Sequence, residues 1–161
     1  MKEESKVLIR KYSNKDLERL SFIVCTTIKK SYLKFYSPEA IEYFLDLHAK
    51  ENMKKDIPKG CTLMLELDGE VIGAGSIVEN EIKRVFVLPE YQGKGYGKKI
   101  MMEIEGVAIN QGIRKVKLCA SLPSKDFYLA LGYKIVRFTN FLVNNNKKLE
   151  YYDMEKCLAE G

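Results

Sequence analysis

The sequence predicts a mixed α/β (α+β) domain, and three observations predict it. Apolar residues recur at helical spacing through the first third of the chain. After residue 60, short β-branched and aromatic runs alternate with tight-turn signals. Over 83–105, the stretch KRVFVLPEYQGKGYGKKIMMEIE joins a strand-like run to an amphipathic helix through a glycine loop. A length of 161 residues suits one domain, read as 1–161, and is enough to bury a core. With 46% hydrophobic and 30% charged residues the chain has the balance of a globular protein rather than a disordered one.

The elements follow in order. VLIRKY (7–12) reads as a strand. Ser13 stands as an N-cap before a helix that places Leu17, Leu20, Ile23 and Val24 on one side. Ser37, Pro38 and Glu39 open a second helix, expected to run on through HAKENMKKDI with Ile41, Phe44, Leu45 and His48 on one face. IPKG (57–60) breaks that pattern. CTLMLEL and EVIGAGSIV form a hairpin across the tight turn Asp68–Gly69. EIKRVFVL is the next strand, and Pro89 stops it by removing a ladder donor. A helix is expected over 97–111, with Ile100, Ile104, Val107 and Ala108 sharing a face and Gly112 just past its end. KVKLCA is a strand, and SKDFYLALGY a short helix capped by Ser124 and ended by Gly132. Two last strands, YKIVRFTNFLV and KLEYYDMEKCL, flank the turn NNNK.

Composition excludes several classes. The charged start MKEESK has no apolar stretch behind it, and no run approaches the ~20 apolar residues of a membrane span. The expectation is a soluble, cytoplasmic protein with no membrane partner. The four cysteines, at 25, 61, 119 and 157, form no close pair, and His48 is the single histidine. Metal binding is therefore not expected, and reduced thiols are. The net charge of +5 suits an anionic ligand. It does not argue for nucleic acid, because the basic residues are interleaved with 22 acids.

The glycine loop carries the chemistry. Gly93, Gly95 and Gly97 precede a helix start, where successive backbone N–H groups and the helix dipole make an anion site. Lys94, Lys98 and Lys99 add positive charge. A nucleoside-triphosphate loop needs four residues between its glycines and a hydroxyl after its lysine; here there are three, followed by Lys99. The dinucleotide fingerprint fails at its third glycine, which is Lys98.

Gln92-Gly93-Lys94-Gly95-Tyr96-Gly97, after a strand ending in Val87-Leu88-Pro89, resembles the signature of the GNAT superfamily of acyl-CoA-dependent N-acyltransferases. A second motif, Phe127-Tyr128-Leu129-Ala130-Leu131-Gly132-Tyr133, is similar to one that the family carries about thirty residues downstream. The resemblance runs from residue 7 to about 157. It implies a GNAT-like fold: a central mixed, mostly antiparallel, twisted sheet of six to seven strands, flanked by about four helices and splayed between the fourth and fifth strands. It further implies acetyl-CoA as acyl donor. The pyrophosphate would lie on Gln92, Gly93, Lys94, Gly95, Tyr96, Gly97 and Lys98, and the pantetheine arm along Val85, Phe86 and Val87. Where the family often has an asparagine touching that arm, this chain has Ser121.

The activity so implied is N-acetyl transfer to a primary amine, on a small molecule or a protein, by direct attack in a ternary complex. Tyr128 matches the family's tyrosine and would protonate the departing thiolate; alternatively it is a core aromatic. Glu81 would serve as base through water, although VENEIK also reads as a solvated hairpin turn. His48, on an apolar helix face, reads first as a satisfied imidazole. The alternatives are an acyl-CoA-binding sensor domain without turnover and a basic nucleic-acid-binding module. The acceptor's identity is open, and a homodimer could pair through the strand at 147–157.

Overall fold

The computed structural model describes residues 4–158. Among the described residues there are seven strands and five α-helices. β1 is Val7–Lys11, α1 Leu17–Ser31, α2 Pro38–Leu47, α3 Lys50–Asp56, β2 Cys61–Leu67, β3 Glu70–Val78 and β4 Glu81–Val87. α4 is Tyr96–Asn110, β5 Lys115–Ser121, α5 Lys125–Ala130, β6 Lys134–Leu142 and β7 Lys148–Cys157. Among the described residues no helix is long and apolar enough to cross a membrane.

The strands form one sheet in the order β1-β2-β3-β4-β5-β7-β6. Every neighbouring pair is antiparallel except β4–β5, which is parallel and joined only at Glu81↔Lys117. Asn80 holds that single junction: its carbonyl accepts from Lys117 N at 3.0 Å and its side chain donates to Lys115 O at 3.2 Å. Beyond it the two strands diverge. The splay expected between the fourth and fifth strands is present.

Local sequence explains most boundaries. α1 buries Leu20, Ile23, Val24, Thr27 and Ile28, which recur every three to four residues as a helix facing a sheet must. The α2 N-cap is Ser37, whose hydroxyl accepts from Ala40 N at 3.2 Å ahead of Pro38. Gly112 takes φ +79 after α4, and Ile113 N then returns to Ala108 O at 2.9 Å, closing the helix end. α5 ends the same way: Gly132 is at φ +93 and Tyr133 N donates to Tyr128 O at 3.1 Å.

Several expectations are corrected. The second helix is two, because Asn52 donates its side-chain amide to Asp46 O and Leu47 O, stopping α2 and seating α3 against its end. His48 caps α2 rather than riding on its face. α1 begins after a 3-10 turn at Asn14–Asp16 that Asp16 holds by accepting from Ser13 N at 2.8 Å. Ser124 does not cap α5 with its side chain; its hydroxyl pairs with Ser121 at 2.7 Å. The strand at 147–157 is not an edge: β7 lies between β5 and β6, and the edge strands of the sheet are β1 and β6.

Candidate active site

The divergence of β4 from β5 opens a slot, and the slot widens into a cavity of about 500 Å³. β4 supplies Glu81, Arg84, Val85 and Phe86, and β5 supplies Leu118, Cys119 and Ser121. Tyr32 from the end of α1, His48 and Asp56 from the α2–α3 region, Tyr128 from α5 and Phe141 from β6 complete the enclosure. Glu81, Ser121, Tyr128, Val85 and Phe86, which the family resemblance singles out, therefore line one space.

At one end of the slot stands the glycine loop. Gly93 (φ +76) and Gly95 (φ +88) are left-handed, which an L side chain rarely adopts, and a Cβ on either would meet nothing within 4 Å. The turn delivers the chain into α4, whose first-turn amides have no acceptor inside the helix. Gly97 serves packing instead. A Cβ there would come within 3.1 Å of the Phe127 ring, so its absence lets α5 pack against the start of α4. Gln92 turns inward, donating from Nε2 to Val87 O at 2.8 Å. It ties the loop to the end of β4.

The β4 main chain divides by alternation. Leu88 N donates to Ile72 O at 2.9 Å, so two residues back Phe86 also turns its peptide groups to β3. Val85 and Val87 are left facing the slot, and of these the Val87 carbonyl already accepts from Gln92 and, at 3.4 Å, from Thr27 Oγ1. Phe86 contributes its buried ring to the wall instead, with the His48 ring edge-on at 5.6 Å.

Between Phe86 and Lys83 the ladder is irregular. Ala74 pairs with Phe86 and Ser76 with Lys83, so Gly75 alone faces both Arg84 and Val85. This is a β-bulge, and its first residue, Arg84, takes φ +52. Its guanidinium, 4% exposed, pairs with Asp56 Oδ2 at 2.7 Å and donates from Nε to His48 Nδ1 at 3.1 Å. Burial works against the Asp56 carboxylate, yet the Arg84 hydrogen bond and charge hold it below the usual carboxylate range. Burial, then Arg84, push His48 down to about 4, so its ring is neutral at physiological pH.

Tyr128 is buried in an aromatic stack with Phe127 at 5.0 Å and Tyr133 at 5.7 Å. Burial, then the neighbouring Tyr32, push its phenol well above the ordinary tyrosine range. It holds its proton at neutral pH. Partial desolvation of the exposed Cys119, then its S–H donated to Asp153 Oδ1 at 3.5 Å and the charges of Asp153 and Glu81, raise its thiol to about 11, so this cavity cysteine is no thiolate.

Tyr36, buried between α1 and α2, has a positioning role as well as a packing one. Its hydroxyl donates to Glu150 O at 2.7 Å and accepts from Leu122 N at 2.9 Å. It fixes the 3-10 turn at Leu122–Ser124 that leads into α5. Nothing local in SYLKFYS distinguishes that role from packing. Arg84 is a site residue that sequence reasoning missed. Its one faint signal is position: it stands between Ile82 and Phe86 at the two-residue spacing of an apolar strand face.

A mixed sheet opened beside a glycine-lined helix start defines a transferase frame that can lay a phosphate-bearing carrier in its slot. The chain belongs to the GNAT acetyltransferase family: the Acetyltransferase (GNAT) domain matches residues 32–158. It is an acetyl-CoA-dependent acetyltransferase. It is 29% identical over 141 residues to a protein named spermidine N(1)-acetyltransferase from Thermoplasma acidophilum, covering 79% of this chain and 88% of the relative. The crystal structure of the PaiA N-acetyltransferase from the same organism, in complex with coenzyme A, superposes with a TM-score of 0.71. Identity there is 26%, over 94% of this chain and 99% of that one. A GCN5-related N-acetyltransferase structure from Rhodopseudomonas palustris shares the fold with a TM-score of 0.86 at 22% identity, covering 94% of this chain and 95% of that one.

Proposed function

We propose that this enzyme transfers acetyl from acetyl-CoA to a primary amine in a ternary complex, with Tyr128 as acid and Glu81 as base. The observation that carries the reading is the left-handed Gly93–Gly95 loop at the end of the slot that the single β4–β5 pair leaves open. The residues present fit the carrier: the loop leaves open space where side chains would stand, and the first-turn amides of α4 lack helical acceptors. Gly93, Lys94, Gly95, Tyr96, Gly97 and Lys98 would take the pyrophosphate. Val85 and Val87 would face the arm with their main chain, Phe86 with its ring, and Ser121 with its hydroxyl. Gln92 shapes the loop from behind. When bound, acetyl-CoA supplies an acetyl group already activated as a thioester.

The chain's own groups then divide the proton work. Tyr128 keeps its proton on Oη because it is buried, and gives it to the departing sulfur. An alkylammonium has a pKa near ~10.4, so the acceptor must shed a proton before attack. Glu81 stands where the slot opens, and receives that proton through water. Cys119 stays protonated, which favours direct attack over an acetyl-cysteine intermediate. Holding the two reactants side by side contributes the rest. Spermidine, in the name of the Thermoplasma relative, belongs in the first acceptor panel with amino acids and monoamines. The homodimer belongs to the same reading, with β6 as its edge.

Calorimetric titration with acetyl-CoA, beside a Gly95→Glu variant, tests the reading. Micromolar binding by the wild type that is lost in a folded variant supports it. A folded wild type that binds no acetyl-CoA removes it.

A further inference from the structure

Arg84, in the cavity wall, has a role that acetyl transfer leaves unexplained. It is held in a left-handed bulge with its side chain buried, and both are unfavourable unless something requires them. Two of its nitrogens are matched, by Asp56 and His48. The third, Nη1, is buried with no hydrogen-bond partner. A cation so placed lacks one acceptor, and groups of this kind call for a ligand or a function.

His48 points the same way. Its Nδ1 accepts from Arg84, so the ring proton of the neutral imidazole sits on Nε2. His48 is part of the cavity wall and retains some exposure. It is a hydrogen-bond donor there, not a base. The charges around the two also favour an anion: Lys55, Lys83 and Arg84 stand against Asp56 and Glu81, and Asp56 is already committed to Arg84. A polycation would meet more positive than negative charge in this cavity. The acids Glu39, Glu42 and Asp46 line a separate groove beside the β6–β7 turn.

We propose that the Asp56–Arg84–His48 chain selects the acceptor, with His48 Nε2–H meeting the carboxylate of a small molecule that also carries the amine and the buried Arg84 guanidinium behind it supplying the counter-charge. His48 makes the contact and Arg84 acts as a positioning residue and counter-charge, itself set by Asp56. Amino acids and short amino-carboxylates are the chemical class. This rests on the reading of the chain as an acetyl-CoA-dependent amine acetyltransferase.

Matched acceptor pairs test it: lysine against cadaverine and 4-aminobutyrate against propylamine, each pair differing only in the carboxylate, with spermidine as a polycation control. Free-thiol release is measured on the full chain after calorimetry has established acetyl-CoA binding. The expected result is a kcat/KM about ten- to a hundredfold higher for the carboxylate member, the range that charge-assisted hydrogen bonds supply. The preference should reside in KM. It should shrink towards one in His48→Phe, which keeps the ring and removes Nε2–H, and be partly kept in His48→Gln, whose amide both accepts and donates. Arg84→Met should raise KM for the carboxylate acceptor more than it lowers kcat. If acetyl-CoA binds but no carboxylate amine outruns its decarboxylated counterpart, or spermidine outruns both, the proposal is overturned while the acetyltransferase reading stands. If acetyl-CoA does not bind, the function itself fails first.

Discussion

Tyr128 is buried and His48 partly so, yet desolvation gives the two titratable groups opposite uses. The Tyr128 phenol is held in its acid form, so Tyr128→Phe should lower kcat about 10²–10³-fold with little change in acetyl-CoA affinity, read by steady-state thiol release beside calorimetry. A fall of less than threefold would return Tyr128 to the role of core aromatic. His48 is instead held neutral. Its folded pKa of about 4 lies below the ordinary value of 6.5, so the unfolded chain binds its proton first as pH falls. Stability from this group is full above about pH 6.5 and is lost as pH drops towards 4, by no more than about 3 kcal/mol. Urea midpoints at pH 7 and pH 4.5, compared between wild type and His48→Phe, measure it. The wild type should lose more over that interval.

At the scale of elements, the bulge and the loop are the parts that make a sheet into a site. β3 must let α4 approach where β4 bulges, and Gly75 provides the room. A Cβ there would stand 2.6 Å from Ile104 Cδ1 and 2.7 Å from Ile100 Cγ2. Gly75→Ala should therefore cost about 1–3 kcal/mol, seen as a lower urea midpoint, because the core has no slack for one methyl. Gly95→Ala is a different test. Its Cβ meets nothing, so the cost is left-handed strain alone, about 1–2 kcal/mol, with the α4 packing unchanged. Comparison of the two by thermal unfolding separates crowding from backbone strain.

For the whole molecule, the slot is a seam. β1–β4 and β5–β7 meet along the sheet at one residue pair, Glu81↔Lys117. A ligand that lies along the seam adds contacts to both halves. Acetyl-CoA at a hundredfold excess over its dissociation constant should stabilise the fold by about 2.7 kcal/mol. That corresponds to a rise in Tm of roughly 5–10 °C in a chain of this size, read by scanning fluorimetry. No shift at saturation would mean that the ligand does not bind the native fold. The free edge at β6 exposes Val136 and Phe138, so Val136→Lys should move sedimentation towards the monomer in the proposed dimer.

What the amino-acid order alone dictates is short-range. The Asp68–Gly69 turn, the Ser37–Pro38 helix start, the Gly112 helix end and the glycine loop all follow from backbone preferences of a few adjacent residues. The family motif around Tyr128 is equally local, and the splay of the sheet came with the family resemblance. Long-range pairing lay beyond that reach. β7 carries the same alternation as an edge strand, and only its pairing on both sides places it inside the sheet. The break at His48 depends on Asn52 reaching back, and Ser124 had a rival partner in Ser121 that helix-capping preference could not weigh. Arg84 looked like one more charge on a strand until the bulge turned it inward to Asp56 and His48. Local chemistry could announce the glycine loop because a left-handed turn into a helix start is made from one stretch of backbone. The cavity wall is made from the end of α1, α2, α3, β4, β5 and the last hairpin together, and only the tertiary structure brings those side chains into one space.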